Sequence, residues 1–207
     1  MKLTKTHKIL LSVTGLLLLS RLAKASNGGG GGGGNLAAFL KMIQYTEGTF
    51  NQPNPYAVCY GYSHIIQNFS DHPANTGEWT GKVLPNSYCA AVGLPNGCKS
   101  TAAGAYQFLR PTWNGIKNKL GNIRFDKAGQ DAGAIELIRG KKRKVGDWDN
   151  ERWISALDDI QNGNLFAAIE QCNTIWASLP GSPYGQPIKT YAQCEKFYIE
   201  QGGRIFS

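Results

Sequence analysis

The chain has 207 residues, 42% of them hydrophobic, with 22 Lys and Arg against 14 Asp and Glu for a net charge of +8. This length and apolar content suit one globular core and argue against a disordered chain or several domains. Five basic residues lie in the first 25 positions, and the remainder carries a net charge of only +3. Such a mild positive charge excludes the concentrated basic surface of a nucleic-acid-binding protein, so we expect no nucleic-acid partner.

Residues 1–25 have the three parts of a secretory signal peptide. Lysines come first, an apolar run covers residues 9–19, and the small-residue sequence AKA occupies residues 23–25. As a helix the run spans roughly 17 Å, whereas the bilayer hydrocarbon is about 30 Å thick. The sequence therefore predicts a signal peptide, with an uncleaved N-terminal anchor as the alternative. Either one predicts export to the periplasm or the cell exterior, and only this segment should contact a membrane.

Residues 26–34 contain seven consecutive glycines, at positions 28–34. Because glycine loses the most backbone freedom on ordering, this run predicts a flexible linker. We therefore expect one folded domain over residues 35–207.

Apolar residues at helical spacing recur through most of this domain. Asn35 is a candidate N-cap for a first helix that carries Leu36, Phe39 and Ile43 and that Gly48 can end. Later helices are predicted to carry Trp113, Ile116 and Leu120 before Gly121; Ala132, Ile135 and Ile138 between Asp126 and Gly140; residues 151–161; Leu165, Ala168, Ile169, Cys172 and Trp176 after Asn164; and Tyr191, Cys194 and Tyr198 after Thr190. We expect Trp113, Trp153 and Trp176 to lie in the core.

The segments between these helices contain many Gly, Pro and Asn residues. Residues 56–60 have a strand-like composition, which predicts a small sheet or hairpin. Residues 76–99 and the basic run at 141–144 are expected to be loops. Helices around one small sheet make an α+β domain.

Five cysteines after a signal peptide indicate disulfides. Cys172 and Cys194 lie on the inward faces of consecutive predicted helices, which suits a bond between them. Cys89 and Cys98 bracket a loop and are the second candidate pair. Cys59 would then remain free.

Glu47 is the strongest catalytic candidate. It follows Leu36 by eleven positions, which places it within about 20° of the apolar face at the last turn of the first helix. Partial burial there would raise the pKa of its carboxyl group, as a general acid near neutral pH requires. An ordinary glutamate at a frayed helix end remains the alternative from spacing alone.

The sequence QYTEGT at residues 44–49 resembles the helix end that carries the catalytic glutamate in lysozyme-like muramidases. Three more stretches match the phage endolysins of the lambda type in the same order: SDHP at 70–73; ST at 100–101 with Gly104, Tyr106 and Gln107; and IWASLPG at 175–181 with YGQ at 184–186. The resemblance implies a lysozyme-like fold, mainly helical, with a small β-sheet lobe and a glycan cleft between lobes. It also implies cleavage of peptidoglycan glycan strands by a monomer that needs no cofactor and no metal.

In the lytic transglycosylases of this family, the glutamate protonates the bond between N-acetylmuramic acid and N-acetylglucosamine. It then accepts a proton from the muramyl 6-hydroxyl, so that a 1,6-anhydro ring closes. The resemblance gives these roles to Glu47. It also suggests Tyr60, Ser100, Tyr106, Gln107 and Tyr184 as substrate-binding residues, with Gln107 able to hold an acetamido group or orient Glu47. Turn formation and core packing are the alternative roles of these five.

The distribution of carboxylates favours a transglycosylase over a hydrolytic muramidase. Hydrolytic glycosidases normally place a second carboxylate about 5 to 9.5 Å from the acid. Residues 48–70 contain no Asp or Glu, and Asp71 is the first candidate. Since Asp71 can still fold back towards Glu47, hydrolysis stays open as an alternative, and Asp71 with His72 is otherwise expected to form a turn at Pro73.

Two further classes of function compete with this hypothesis: other enzymes and non-catalytic proteins. A Cys/His peptidase would use Cys59 with His64 or His72, but on one strand Cys59 and His64 would face opposite sides. A metalloenzyme is disfavoured because the histidines show no helical ligand spacing. The second class is a non-catalytic glycan-binding or virion protein, against which the presence of Glu47 argues.

Overall fold

The computed structural model describes residues 31–91, 93–147, 149–184 and 189–206. Within these ranges the chain forms eight α-helices and two two-stranded antiparallel sheets. The helices are α1 (Gly31–Thr46), α2 (Pro73–Thr76), α3 (Asn86–Ala91), α4 (Arg110–Leu120), α5 (Lys127–Arg139), α6 (Ala156–Gln161), α7 (Leu165–Cys172) and α8 (Tyr191–Glu200). The strands are β1 (Lys82–Val83), β2 (Lys99–Ser100), β3 (Lys142–Val145) and β4 (Arg152–Ser155). The predicted α+β class is confirmed.

Helix α1 is the centre of the hydrophobic core. Its residues Phe39, Met42 and Ile43 are completely buried, and the helix packs against both α6 and α8. The helical periodicity from Leu36 onwards predicted this element, and the helix ends at Thr46 just before Gly48, as expected. Burial of these three side chains contributes several kcal/mol, at about 1.5–3 kcal/mol for each one.

The start of α1 differs from the prediction. The helix begins at Gly31, so Asn35 lies inside it and does not cap it. The Asn35 side chain is buried, where it donates to the carbonyl of Ile160 at 3.1 Å and accepts from the amide of Arg204 at 2.8 Å. Asn35 therefore connects α1 to the end of α6 and to the C-terminal segment, a role that local sequence does not reveal. The predicted signal peptide and most of the predicted linker lie outside the described residues.

Helices α4, α5 and α8 agree with the sequence patterns, whereas α7 ends at Cys172, before the predicted Trp176, and the side chain of Asn164 makes no capping bond. Asp126 caps α5 by accepting from the amide of Gly129, and Thr190 caps α8 in a reciprocal arrangement with Gln193. Gly121 and Gly140 follow the ends of α4 and α5 as predicted. The sequence could predict these helix ends because the capping hydrogen bonds of Asp126 and Thr190 join residues only three positions apart.

The predicted strand at residues 56–60 is wrong. Pro55–Ala57 and Tyr60–Tyr62 form short 3₁₀ turns, and only isolated bridges, such as that between Cys59 and Ala103, occur between them. Pro55 cannot donate to a strand partner, and Gly61 adopts a left-handed conformation with φ of 60°. These two residues break the segment before a ladder can form.

Residues 76–99 form more structure than the predicted loop. Strands β1 and β2 pair with Lys82 opposite Ser100, and helix α3 lies between them. The Cys89–Cys98 disulfide closes this segment, as predicted, with a Cα–Cα distance of 5.8 Å.

The second sheet lies where a loop and the start of a helix were predicted. Strands β3 and β4 form a hairpin, in which Lys142 pairs with Ser155 and Val145 with Arg152. The basic run is thus a strand, and the predicted helix over residues 151–161 begins only at Ala156, after a capping box at Ser155. Because β4 precedes the helix, Trp153 is 61% exposed on the hairpin and does not join the core. Trp113 and Trp176 are buried, as predicted.

The predicted Cys172–Cys194 disulfide is wrong. Both cysteines are free and completely buried, and burial raises the pKa of each thiol to about 12. The helical pattern correctly placed both residues on inward faces. An inward face determines burial, but it does not bring two sulfur atoms within bonding distance. Cys59 is free, as predicted.

Candidate active site

An open cleft passes along the C-terminal end of α1, between the segment that carries β1 and β2 and the helices α4 and α5. The space inside it, open solvent included, is about 780 Å³. Glu47 and residues from six parts of the chain line it: Tyr60, Leu84, Tyr88, Ser100, Ala102, Tyr106, Gln107, Phe108, Leu109, Thr112, Leu137, Ile175, Trp176 and Ala177.

Glu47 is positioned by the last turn of α1. Its amide still donates to the carbonyl of Ile43 at 2.9 Å, and Gly48 then reverses the chain with φ of 75°. The side chain is partly buried in the cleft wall, and this burial raises the pKa of its carboxyl group from 4.5 to about 7. A hydrogen bond from Ser178 lowers the pKa, but less than burial raises it. Glu47 is therefore poised between its acid and base forms near neutral pH.

Ser178 is the functional residue that the sequence did not single out. Its hydroxyl lies 2.6 Å from Oε1 of Glu47 and 3.0 Å from Oγ1 of Thr46. It belongs to the segment after α7, 131 positions from Glu47. The IWASLPG stretch was a signal, because it contains Ser178 and its neighbours Trp176 and Ala177 line the cleft.

Four of the five predicted substrate-binding residues line the same cleft as Glu47: Tyr60, Ser100, Tyr106 and Gln107. Tyr60 is 40% exposed, which leaves its ring accessible to a ligand. Tyr106 is buried, and its hydroxyl contacts Asp131 while its backbone carbonyl accepts from the indole of Trp176. Tyr106 thus forms the floor of the cleft and also packs in the core.

Gln107 does not contact Glu47. Its side-chain amide donates to the carbonyl of Gly104 at 2.9 Å, and its backbone is left-handed with φ of 48°. An amide held in this way can contact a ligand at the cleft surface, whereas the side chain that bonds to Glu47 is that of Ser178.

Tyr184 is not among the lining residues of the cleft. Its ring is 57% exposed, and its hydroxyl donates to the carbonyl of Thr174 at 3.1 Å. This bond connects the residue to the chain directly before Ile175, which does line the cleft. Tyr184 therefore lies beside the site instead of inside it.

Asp71 does not provide a second carboxylate to the cleft. It accepts from the indole of Trp113 at 2.7 Å, from Lys117 at 2.6 Å and from the amide of His72 at 2.7 Å. These donors outweigh its desolvation and lower the pKa of the Asp71 carboxyl group. His72 is buried and accepts from the amide of Ala74, so that both residues form the predicted turn at Pro73. Glu47 is the one acidic residue among the described residues that line the cleft.

The cysteine-protease alternative lacks its geometry. Cys59 is buried, and desolvation raises the pKa of its thiol to about 12, with the nearby Glu78 as a second cause. The His64 ring bonds to Glu78 at 2.8 Å, and His64 contacts Cys59 only through its backbone carbonyl, which accepts from the Cys59 amide at 3.0 Å. A thiol in this environment is a poor nucleophile. Across the described ranges, no three or more His, Cys, Asp and Glu side chains lie together as a metal site.

No helix in the described part of the chain is long and apolar enough to cross a membrane.

Comparison with known proteins identifies the family of this chain. Residues 37–205 match the family described as Endolysin. The chain is 36% identical over 152 residues to the endolysin of Escherichia phage P2, covering 73% of this chain and 83% of that protein. It is 33% identical over 154 residues to the endolysin of Escherichia phage lambda, covering 72% and 79%.

Solved structures agree with the sequence comparison. Bacteriophage lambda lysozyme complexed with a chitohexasaccharide matches with a TM-score of 0.62 and 31% identity over 84% of this chain and 97% of that one. A second structure of lambda lysozyme matches with a TM-score of 0.58 and 29% identity. The lysozyme-like fold is therefore confirmed, and the chain belongs to the endolysin family.

Proposed function

We propose that this protein cleaves the β-1,4 bond between N-acetylmuramic acid and N-acetylglucosamine in peptidoglycan as a lytic transglycosylase, with Glu47 as its acid and base. One observation carries the proposal. Glu47 is the single carboxylate among the described lining residues of an open cleft, and burial raises the pKa of its carboxyl group to about 7. The chitohexasaccharide bound by the related lambda lysozyme supports a glycan strand as the occupant of this cleft.

The reaction begins with protonated Glu47. The carboxyl proton moves to the oxygen that links the two sugars, and the bond from that oxygen to C1 of the muramyl residue breaks. Positive charge then develops on the muramyl ring. The resulting Glu47 carboxylate lies in a partly dehydrated wall, where its attraction to that charge is stronger than in water.

The second step restores the enzyme. The muramyl 6-hydroxyl oxygen bonds to C1 and closes the 1,6-anhydro ring, while its proton passes to Glu47. No water molecule is consumed, and the acid leaves the cycle as it entered. One carboxyl group is enough because the nucleophile belongs to the substrate.

Hydrolysis of the same bond is the second candidate. It would require a group to activate water, normally another carboxylate about 5 to 9.5 Å away. Asp71 is the residue that the sequence offered, and its engagement with Trp113 and Lys117 argues against that role. The cleft composition therefore favours transglycosylation.

The products distinguish the two reactions. Purified peptidoglycan digested with the enzyme should give muramyl ends that are lighter than reducing ends by one water molecule and resist borohydride reduction. A hydrolytic muramidase of known specificity serves as the control digest. Reducing muramyl ends in the test digest would refute transglycosylation while leaving peptidoglycan cleavage intact.

Export to the cell wall remains part of this proposal. The predicted signal peptide or anchor would deliver the enzyme to the periplasm or beyond, where its substrate lies. Edman sequencing of the secreted protein should find a new N-terminus near residue 26, whereas an intact leader would indicate an anchor.

A further inference from the structure

Ser178 is the one hydrogen-bond partner of the Glu47 carboxyl group within the described ranges. Its Oγ lies 2.6 Å from Oε1, a distance typical of a hydrogen bond to a charged oxygen. Ser178 is only 9% exposed and is not among the residues that line the cleft. It therefore contacts Glu47 from within the wall of the cleft.

The hydroxyl of Thr46 extends this contact into α1. Thr46 Oγ1 lies 3.0 Å from Ser178 Oγ and 2.9 Å from the carbonyl of Ile43. The same carbonyl accepts from the amide of Glu47 at 2.9 Å, so it keeps a partner even when Thr46 turns away. A chain of two hydroxyls thus connects the carboxyl group to a backbone acceptor.

A hydroxyl carries one proton, so Ser178 cannot donate to Glu47 and Thr46 at once. The direction of the chain depends on whether Oε1 accepts or carries the proton. With Glu47 ionised, Thr46 donates to Ser178 and Ser178 donates to Oε1. With a proton on Oε1, Glu47 donates to Ser178, Ser178 to Thr46, and Thr46 to the carbonyl of Ile43.

We propose that Ser178 and Thr46 are positioning residues that form a reversible hydroxyl pair, which keeps Glu47 hydrogen-bonded in both of its protonation states. The inference deepens the proposed function and rests on it. Reversal requires only rotation of two hydroxyl hydrogens, and no covalent bond changes. Before transfer, the O–H of Glu47 turns from Ser178 to the glycosidic oxygen, and Ser178 turns back to donate to Glu47. The proton given to the substrate is then replaced from the muramyl 6-hydroxyl.

This device suits a carboxyl group that must act as an acid and then as a base. Burial alone would favour the neutral form so strongly that proton release would be slow, whereas several fixed donors would hold the anion, as they do at Asp71. A single donor whose direction can reverse avoids both extremes, because it stabilises the anion and can also accept from the neutral acid. Preorganisation of this kind lowers the cost of moving charge during the reaction.

The pH dependence of catalysis tests the pair. In Ser178→Ala the ionised form of Glu47 loses its donor, so the basic limb of the kcat profile should move upward by about one pH unit. The kcat on the plateau below that limb should fall roughly tenfold, because the carboxylate formed during proton transfer has lost the same donor. KM should change by less than about twofold, because Ser178 does not line the cleft. Thr46→Val should give a smaller upward shift, and Thr46→Ser, which keeps the hydroxyl, should restore the original profile.

A second readout avoids activity altogether. The carboxyl carbon of Glu47, labelled with ¹³C and titrated by NMR without substrate, should show the same upward shift in Ser178→Ala. An unmoved titration together with an unmoved kcat profile would overturn the proposal. If Ser178→Ala does not fold, identical profiles for Thr46→Val and Thr46→Ser overturn it instead. Wall cleavage by Glu47→Gln would refute the proposed function separately, while the NMR titration would still report on the hydroxyl pair.

Discussion

Two carboxyl groups of this endolysin lie in opposite environments. Glu47 lies in the wall of the cleft with Ser178 as its described side-chain donor, and burial raises the pKa of its carboxyl group to about 7. Asp71 lies against α4 with donors from Trp113 and Lys117, and these lower its pKa. The comparison teaches that burial with one donor leaves a carboxyl group able to titrate near neutral pH, whereas several donors keep a carboxylate ionised in a structural role.

The largest expected effect is the loss of activity in Glu47→Gln. The amide keeps the shape of the side chain but cannot transfer a proton, so peptidoglycan clearance should fall about 10³-fold. Thermal unfolding at neutral pH should show a fold at least as stable as the parent, because a poorly solvated carboxyl group has been removed. Substantial clearance by this variant would end the assignment of Glu47.

The pH dependence of stability should have opposite signs at the two groups. The folded state holds the Glu47 proton more tightly than the unfolded state, so its contribution to stability falls as pH rises from 4.5 to about 7. The loss is at most about 3 kcal/mol, less what solvent at the cleft mouth screens. Asp71, with its lowered pKa, instead contributes stability that is lost as pH falls through that pKa.

Urea unfolding of the parent and of Glu47→Gln across this pH range separates the two contributions. The parent should lose stability between pH 4.5 and 7 relative to the variant. Parallel curves for the two proteins would contradict the raised pKa.

Asp71→Ala should mainly affect stability. Its removal leaves the indole N–H of the buried Trp113 and the ammonium of Lys117 without their acceptor, at a cost of about 3 kcal/mol. Activity per folded molecule should persist at a temperature below the new unfolding transition. Loss of catalysis in a folded Asp71→Ala protein would revive Asp71 as the second carboxylate and favour hydrolysis.

The smallest expected effect is that of Lys117→Met, which should lower the free energy of unfolding by about 1 kcal/mol. Lys117 lies 2.6 Å from Asp71, and the two side chains are only 25% and 23% exposed. Lys119 is the matched control, since it is 60% exposed and 3.7 Å from Glu136. Lys119→Met should lower the free energy of unfolding by less than about 0.5 kcal/mol. Equal losses in the two variants would mean that the Lys117–Asp71 pair stabilises the fold no more than an exposed pair does.

The sequence predicted the helices better than the segments between them. The limits of α4 and α5 followed from Pro111, Asp126 and the glycines after each helix, because capping is a local interaction. The β3–β4 hairpin was missed because its composition is that of a solvated basic loop. A long-range contact holds strand β3 against helix α6: Arg143 makes a bidentate pair with the buried Asp159, with both bonds at 2.7 Å.

The candidate site was also predicted only in part, because some of its contacts are local and others join residues far apart in the chain. Helical spacing and the motif around Glu47 indicated the acid, and the resemblance placed Tyr60, Ser100 and Gln107 near it. Ser178 was missed as its partner, and Gln107 was wrongly considered for that role. The error arose because hydroxyl and amide side chains are equally plausible donors until the fold brings one of them to Glu47.

The sequence by itself determined which faces of the helices are buried, where they are capped, and which glutamate ends the central helix. These properties depend on interactions within a few residues of one another. Only the tertiary structure decided which side chain bonds to Glu47, which groups Asp71 contacts, and that Cys172 and Cys194 do not pair. Those outcomes depend on distances between residues far apart in the chain, and packing of the whole domain sets these distances.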